Sequence, residues 1–173
     1  MRIVPEIDLS GEEHKLITTL RNASFPSHQV QRSYYKQIPQ YRFLHFQQEI
    51  LIGYMGLEYR AIGVGGNCLT VLGIVDFCVA EQHRGNGIGS SMLDHLEKYA
   101  QNKPVDFIIL ISEVGAIYSK NGYSNVSAEH TWLKVHEHQS YGVGQERIGE
   151  FYVKALGEKK WPNGVVDWLG YMF

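Results

Sequence analysis

The stretch Val75-Asp-Phe-Cys-Val-Ala-Glu-Gln-His-Arg-Gly-Asn-Gly-Ile-Gly-Ser-Ser-Met-Leu93 predicts a strand, a tight glycine turn and the start of a helix. Residues 71–79 are rich in β-branched and apolar side chains, as expected of a largely buried strand. From Ile88 onward the apolar residues follow helical spacing, with Met92 and Leu96 on one face. The turn between strand and helix therefore decides how the rest of the chain is interpreted.

That turn contains Gly85, Gly87 and Gly89. Glycine lets backbone N–H groups approach a ligand closely, and the N-terminus of a helix adds the positive end of its dipole. The turn is therefore typical of an anion site that suits a pyrophosphate. A P-loop would need a Gly-Lys-Ser/Thr ending, which Gly89-Ser90 lacks. A dinucleotide fingerprint needs its third glycine three positions after the second, whereas the spacing here is two.

The remaining match, Arg-x-x-Gly-x-Gly at Arg84, Gly87 and Gly89, resembles the acetyl-CoA pyrophosphate loop of the GCN5-related N-acetyltransferases (GNAT). The alternative is a glycine turn that binds no ligand. The resemblance implies an α/β fold with a mixed, splayed central sheet and helices on both faces. It also implies acetyl-CoA as co-substrate, with no metal. The residues that it implies for cofactor binding are Phe77, Cys78, Val79, Arg84, Gly85, Asn86, Gly87, Ile88, Gly89 and Ser90.

A second motif, Tyr-x-x-x-Gly-aromatic, lies at Tyr118, Gly122 and Tyr123. The pattern predicts a short helix from Glu113 that ends at Gly122, a C′ glycine. It also resembles the acetyltransferase family, in which this tyrosine protonates the departing CoA thiolate. A phenol with a pKa near 10 can give its proton to a thiolate of similar basicity. The alternative is a tyrosine that only packs against the sheet.

The general base stays open at this stage. Asp76 lies near the end of the strand before the glycine turn, where a bulge could turn it into the cleft; the alternative is a structural residue on the opposite face of the strand. Glu58 on the preceding strand and Glu113 after the following strand are the other candidates. A water-relayed base is a further possibility, since some amines arrive already partly deprotonated.

Length and composition favour one domain, 1–173, with the aromatic C-terminal tail, 157–173, docked on it. The formal net charge is −2 without a basic stripe, so we expect no nucleic-acid partner. Cys68 and Cys78 form neither a disulfide framework nor a metal-type spacing. No signal peptide or membrane-spanning apolar run is visible, which predicts a cytoplasmic protein with no membrane partner. A monomer and a homodimer are both compatible with the sequence.

The remaining segments predict an antiparallel meander, then further strands. Ser10 and Glu13 form a capping box ahead of a helix that runs to about Ala23, and a second short helix is expected through Tyr35. Near the end, strands are expected at 129–137 and 151–156, with a polar, glycine-containing loop over 138–149. His136 and His138 are interpreted as strand-end residues, because no third metal ligand lies nearby. The other expected strands are 2–7, 41–46, 50–62 and 105–111.

The acceptor is the least specified part. By the family resemblance, the early helical region flanks the acceptor site, so Phe25, Tyr34 and Tyr35 are candidate walls. The segments Met55-Gly-Leu-Glu-Tyr-Arg60 and Trp161-Pro-Asn-Gly-Val-Val-Asp are similar to parts of aminoglycoside 2′-N-acetyltransferases and nodulation-factor N-acyltransferases. This similarity implies a small-molecule amine, possible members being amino sugars, with Asp167 and Trp168 offering a carboxylate and a ring face to the ammonium. The alternatives are a longer acyl donor, a protein or peptide acceptor, and a CoA-binding sensor without turnover.

Overall fold

The structure, a computed structural model, describes residues 1–173. The helices are α1 (Gly11–Ser24), α2 (Ile88–Ala100) and α3 (Gly115–Lys120). The strands are β1 (Arg2–Pro5), β2 (Tyr41–Gln47), β3 (Ile50–Val64), β4 (Asn67–Val79), β5 (Phe107–Ile111), β6 (Ser124–His136), β7 (Gln139–Ala155) and β8 (Val166–Tyr171). They are hydrogen-bonded in the order β1-β2-β3-β4-β5-β7-β6-β8, with a further pairing of β3 and β8.

The sheet is mixed and splayed, which confirms the predicted α/β fold class. β4 pairs with β5 in parallel, whereas β1–β2, β2–β3 and β6–β7 are antiparallel. The parallel pairing joins Val71–Gly73 to Phe107–Ile109. Beyond it, β4 continues to Val79 and β5 continues to Ile111. The two strands therefore separate after Gly73.

The chain forms two compact units. Unit 1 comprises Met1–Glu58 with Ile74–His95, and unit 2 comprises Tyr59–Gly73 with Leu96–Phe173. The chain passes from one unit to the other within β3, β4 and α2. The single domain expected from length stays a prediction. None of the helices combines the length and the hydrophobicity needed to cross a lipid bilayer.

In unit 1, the helices α1 and α2 cover opposite faces of the strands. Successive side chains of a strand point to opposite faces, so the contacts of individual residues show which helix lies on which face. Leu44 and Tyr54 point to one face and form a buried cluster with Ile17 of α1. Gly53 points to the other face, where an added Cβ would lie 2.5 Å from the Met92 sulfur of α2. The predicted helices on both faces are therefore present in this unit.

Unit 2 encloses a separate apolar core, and β8 closes the strands around it. Gly63 and Val64 of β3 lie opposite Asp167 and Val166 of β8, while His130 of β6 lies opposite Val166 on the other side. The hydrogen-bonded order β3-β4-β5-β7-β6-β8 thus returns to β3. The core is made of Ile62, Val64, Leu69, Val71, Phe107, Ile109, Ala128, Phe151, Val153, Val166 and Trp168. The sequence did not predict a strand in the tail.

The short helix predicted after Pro26 is wrong. Only Pro26–His28 forms a single 3-10 turn, and no helix continues to Tyr35. Side chains of α1 form hydrogen bonds with backbone groups that would pair with one another in a helix. Asn22 accepts from the Val30 N–H and donates to the Val30 carbonyl, and Arg21 donates to the His28 carbonyl at 2.7 Å. These side-chain contacts hold the segment in an irregular conformation.

The loop predicted over 138–149 is also wrong, because β7 runs without a break from Gln139 to Ala155. Glu137 and His138, with φ of 44° and 60°, form the two-residue turn that joins β6 to β7. Gly144 lies opposite Trp132, and a Cβ there would come within 2.7 Å of the indole ring. The pairing with β6 therefore outweighs the low strand propensity of the glycines. No group of three or more His, Cys, Asp or Glu side chains is arranged to hold a metal ion.

Candidate active site

The glycine turn between β4 and α2 leaves open space beside its backbone. Gly85 and Gly87 have φ of 77° and 76°, a left-handed conformation that side-chain-bearing residues rarely adopt. A Cβ added at either glycine would meet no atom within 4 Å. The helix then begins, with the Ser91 N–H donating to the Gly87 carbonyl at 2.9 Å. An exposed glycine turn at a helix N-terminus fits a pyrophosphate.

Arg84 ties this turn to the end of β4. Its Nε donates to the Val79 carbonyl at 2.9 Å, while the residue as a whole is exposed. Cys78 of the same strand end is 6% exposed and packs in the unit 1 core beside Ile17. Burial raises the pKa of the Cys78 thiol to about 12, so the side chain is an apolar core residue rather than a nucleophile. The predicted cofactor residues thus lie on one continuous strand-and-turn segment of unit 1.

Asp76 lies in an irregular position of β4 and is held by a buried arginine. Its φ is 51°, a left-handed value inside a strand. Its carboxylate accepts a hydrogen bond from Arg21 Nε at 2.7 Å, and the Arg21 side chain is 1% exposed. The Asp76 carboxylate is therefore engaged in an ion pair with a buried side chain of α1.

Arg21 was not singled out from the sequence. Its guanidinium carbon lies over the rings of Phe25 and Tyr35, at 5.7 and 5.2 Å from their centroids. Phe25 and Tyr35, both predicted as acceptor walls, therefore contact this arginine. The signal available in the sequence was a cation four residues after Ile17, on the apolar face of α1. A charged residue on a core-facing stripe needs a buried partner, which here is Asp76.

The other two candidate bases differ in burial. Glu58, on β3, is 1% exposed, whereas Glu113, before α3, is exposed. Lys36 carries its charge near Glu58 and Asp76. Burial lowers the pKa of Lys36 from its ordinary value, and the two carboxylates partly oppose that effect, Glu58 more strongly than Asp76. Nothing in the sequence distinguished Lys36 from the other lysines.

Tyr118 lies in an aromatic cluster of unit 2. It is 6% exposed, and its ring centroid is 5.9 Å from that of Tyr123 and 5.6 Å from that of Tyr152. Burial raises the pKa of Tyr118, and a side-chain hydrogen bond with Ser112 opposes the effect. Both features suit a residue that holds its proton until a thiolate appears.

The end of α3 positions Tyr118. The helix begins at Gly115, two residues later than predicted, and Gly122 has the expected left-handed φ of 81°. The Tyr123 N–H then donates to the Tyr118 carbonyl at 3.0 Å, which closes the helix end. The predicted C′ glycine is therefore confirmed.

Tyr34 borders a pocket of about 500 Å³ in unit 1. His14, Lys15 and Thr18 of α1 line one side of this pocket, and Arg32 and Tyr34 line another. The Arg32 guanidinium lies 5.4 Å from the centroid of the Tyr34 ring. Tyr34 therefore borders a solvent-accessible space, as a substrate wall must.

The tail residues predicted to bind the acceptor have different surroundings. Asp167 is exposed and accepts a hydrogen bond from the Leu169 N–H at 2.9 Å. Trp168 is 0% exposed, and its indole N–H donates to His130 Nδ1 at 3.0 Å. Its ring is therefore a core element of unit 2 and is not accessible to an ammonium from solution. The expectation that Trp168 contacts the acceptor is corrected accordingly.

Comparison with known families decides the identity of the fold. A family profile described as "Acetyltransferase (GNAT) domain" matches residues 8–126. The chain belongs to the GNAT family. This confirms the resemblance drawn from the glycine turn and the Tyr118 motif. No curated protein sequence matches the chain significantly.

Solved GNAT structures share the fold at low sequence identity. YhbS from Escherichia coli in complex with CoA is 14% identical, with a TM-score of 0.64 over 96% of this chain and 88% of that chain. A GNAT acetyltransferase from Brucella melitensis in complex with acetyl-CoA is 14% identical, with a TM-score of 0.61 over 95% and 93%. An aminoglycoside 6′-N-acetyltransferase complexed with coenzyme A is 14% identical, with a TM-score of 0.59 over 92% and 99%. The chain spans 33% of the length of two larger similar structures.

Proposed function

We propose that this GNAT chain transfers the acetyl group of acetyl-CoA to a primary amine of a small molecule. The observation that carries the proposal is the open glycine turn at the start of α2, where Gly85 and Gly87 have left-handed φ values and nothing fills the Cβ positions. Backbone amides in such a turn bind phosphate oxygens without needing a basic side chain. The residues that would hold the cofactor are 84–90, with the strand segment 77–79.

The proposed roles of the other residues follow from their surroundings. Tyr118, whose pKa is raised by burial, donates its proton to the departing thiolate. Glu58, the buried member of the three candidate carboxylates, accepts the proton that the attacking amine loses. Arg21 holds Asp76 in place through the 2.7 Å ion pair and so supports the irregular strand segment before Phe77. Acetyl-CoA supplies the activated acetyl group.

Amino sugars are the proposed acceptor class. The fold similarity to a structure described as an aminoglycoside 6′-N-acetyltransferase supports this choice. Tyr34, beside the unit 1 pocket, offers a ring and a hydroxyl to a hydroxylated amine. The measurement is kcat/KM for aminoglycosides and glucosamine derivatives against peptides, with release of free thiol as the signal. A higher kcat/KM for peptides would show that the acceptor is a peptide and not an amino sugar. Binding of acetyl-CoA without thiol release in the presence of any amine would indicate a sensor.

Replacing Gly87 by Val tests cofactor binding. We expect loss of CoA binding by isothermal titration calorimetry, because a β-branched side chain would occupy the space beside the backbone and strain the left-handed turn. Gly66→Val is the matched control, since Gly66 also has a left-handed φ, 83°, with nothing within 4 Å of its Cβ position. Gly66 lies in the β3–β4 turn, so its replacement imposes similar strain without touching the proposed loop. Unchanged CoA affinity in folded Gly87→Val would refute the loop assignment.

A further inference from the structure

The segment that carries Lys36 is fixed over one face of the unit 1 strands. Just before it, the Tyr35 ring packs on Arg21, which is bonded to Asp76 of β4. Just after it, Pro39 covers Gly56 of β3, where an added Cβ would lie 2.8 Å from the proline ring. Lys36 is therefore held between two contacts with the sheet.

The same face carries the two carboxylates that interact electrostatically with Lys36. Glu58 follows Gly56 by two residues on β3, so both point to the face that Pro39 covers. Asp76 precedes the strand segment 77–79, which is proposed to bind the acetyl-bearing end of the cofactor. The Lys36 ammonium interacts electrostatically with both Glu58 and Asp76. A primary amine is thus present on the face that carries the proposed base, within electrostatic range of the residue that precedes the proposed acyl-binding strand.

Burial favours the neutral form of this amine. Desolvation lowers the pKa of Lys36, with Glu58 and then Asp76 opposing the shift. The charged groups on this face are Arg21, Arg42, Glu58 and Asp76; Arg42 lies opposite Gly56 and is ion-paired with Glu6. Only the neutral form of an amine attacks a thioester, so a lowered pKa increases the reactive fraction at neutral pH. Lys15, by contrast, has a 76% exposed side chain and provides a reference.

We propose that Lys36 is an internal acetyl acceptor, and that the protein acetylates itself at this side chain when acetyl-CoA is bound and no external amine competes. The inference rests on the proposed function. The neutral Lys36 Nζ forms a bond to the acetyl carbon, and the carbon–sulfur bond of the thioester breaks. Nζ gives up one proton, which Glu58 passes to solvent. The departing thiolate takes a proton from Tyr118, and Tyr118 recovers a proton from solvent. The products are N-acetyl-Lys36 and CoA thiol.

Such a modification would change the site itself. Acetylation removes a positive charge that faces Glu58 and Asp76 and adds an uncharged group to a half-buried position. The acetylated protein therefore carries one cation fewer beside the proposed base. We expect external amines to be acetylated more slowly after self-acetylation. Self-acetylation would therefore inhibit the protein when the acceptor is scarce.

The test incubates the full chain with acetyl-CoA and maps acetylated peptides by mass spectrometry. We expect modification of Lys36 to saturate with acetyl-CoA, to be independent of protein concentration and to be inhibited by CoA. Lys15 should instead react in proportion to acetyl-CoA and at least about tenfold more slowly, because an exposed side chain reacts with the thioester only by collision from solution. Tyr118→Phe should slow the acetylation of Lys36 by a factor of about 10²–10⁴ and leave the acetylation rate of Lys15 unchanged. Lys36 modification no faster than Lys15, or insensitive to CoA, would overturn the inference.

Two further measurements separate this inference from the proposed function. Calorimetry with acetyl-CoA is run on the same protein. If acetyl-CoA binds and Lys36 stays unmodified, the self-acetylation is rejected while the proposed function stands; if acetyl-CoA does not bind, both are rejected. Without acetyl-CoA, competitive labelling with trace acetic anhydride over a pH range should give a midpoint for Lys36 below the ordinary lysine value. An unshifted midpoint would also overturn the inference.

Discussion

Arg21 brings a permanent charge into the interior of unit 1, and its partners explain why the structure accepts it. Its guanidinium donates to the Asp76 carboxylate, to the His28 carbonyl and to the Asn22 side chain, at 2.7, 2.7 and 3.2 Å. Removing one partner of a buried ion pair leaves an uncompensated charge, which costs more than the pair contributes. Arg21 and Asp76 therefore form a structural ion pair, which is why the proposed function assigns the proton-accepting role to Glu58.

Tyr118→Phe tests the proposed acid at the level of a single hydroxyl. The substitution removes one proton donor and almost no volume, so the fold and the CoA affinity should be retained. We expect the rate of acetyl transfer to fall by about 10²–10⁴, the usual contribution of a positioned acid. The measurement is the single-turnover rate of thiol release with a saturating amine.

Tyr123→Phe is the control within the same aromatic cluster. The Tyr123 hydroxyl is buried and has no hydrogen-bond partner, so its removal deletes an unsatisfied polar group. We expect this variant to keep the wild-type rate. Equal rates for all three proteins, under conditions where chemistry is rate-limiting, would exclude Tyr118 as the acid.

Among the elements, α1 has the most explicit start signal. The Glu13 N–H donates to Ser10 Oγ at 3.2 Å, and the Ser10 N–H donates to the Glu13 carboxylate at 2.8 Å. These reciprocal bonds satisfy two backbone N–H groups that would otherwise have no partner at the start of the helix. The sequence alone predicted this capping box because all of its partners lie within four residues.

Ser10→Ala should lower the free energy of unfolding by about 1 kcal/mol, the typical contribution of an N-cap hydroxyl. Urea denaturation measures the change. Thr19→Ala is the control on the same helix, since its exposed hydroxyl only donates back to the Lys15 carbonyl at 2.9 Å. We expect Thr19→Ala to stay within about 0.5 kcal/mol of wild type, as exposed positions usually do. If the two variants were equally destabilised, the cap would not be the cause.

At the scale of the whole molecule, closure of unit 2 depends on a buried polar pair. Trp168 of β8 donates to His130 of β6, and both side chains are 0% exposed. Because His130 Nδ1 accepts this bond, the ring is neutral with its proton on Nε2. Protonation would put a charge in the core and turn Nδ1 into a donor, which is incompatible with the Trp168 bond. Burial accordingly lowers the pKa of His130 from 6.5 to about 4.

This depressed pKa predicts acid sensitivity. The unfolded chain binds the His130 proton more tightly than the folded protein, so the contribution to stability is present above pH 6.5 and is lost as the pH falls toward about 4. The loss attributable to His130 should be about 3 kcal/mol. Urea denaturation at several pH values measures it, with His130→Gln as a non-titrating comparison. Parallel loss of stability in both proteins over this range would contradict the assignment.

The sequence by itself determined the parts of this protein whose causes are local. The capping box of α1, the glycine turn before α2 and the C′ glycine after Tyr118 each depend on residues a few positions apart. Their hydrogen bonds and backbone angles are set by the chemistry of those residues. The family identity followed from two such local patterns, and the fold class followed from the family resemblance.

Tertiary structure alone decided the features that join distant segments. β7 is one long strand because β6 pairs with its glycine-rich half, although local propensity predicted a loop. Trp168 is a core residue because β8 pairs with both β6 and β3. The sequence pattern of the tail did not predict this strand. Arg21, Lys36, Glu58 and Asp76 come together from α1, an irregular segment and two strands. A short segment can show that a residue such as Arg21 needs a buried partner, but it does not show which distant residue supplies that partner, so these pairings appear only once the chain is folded.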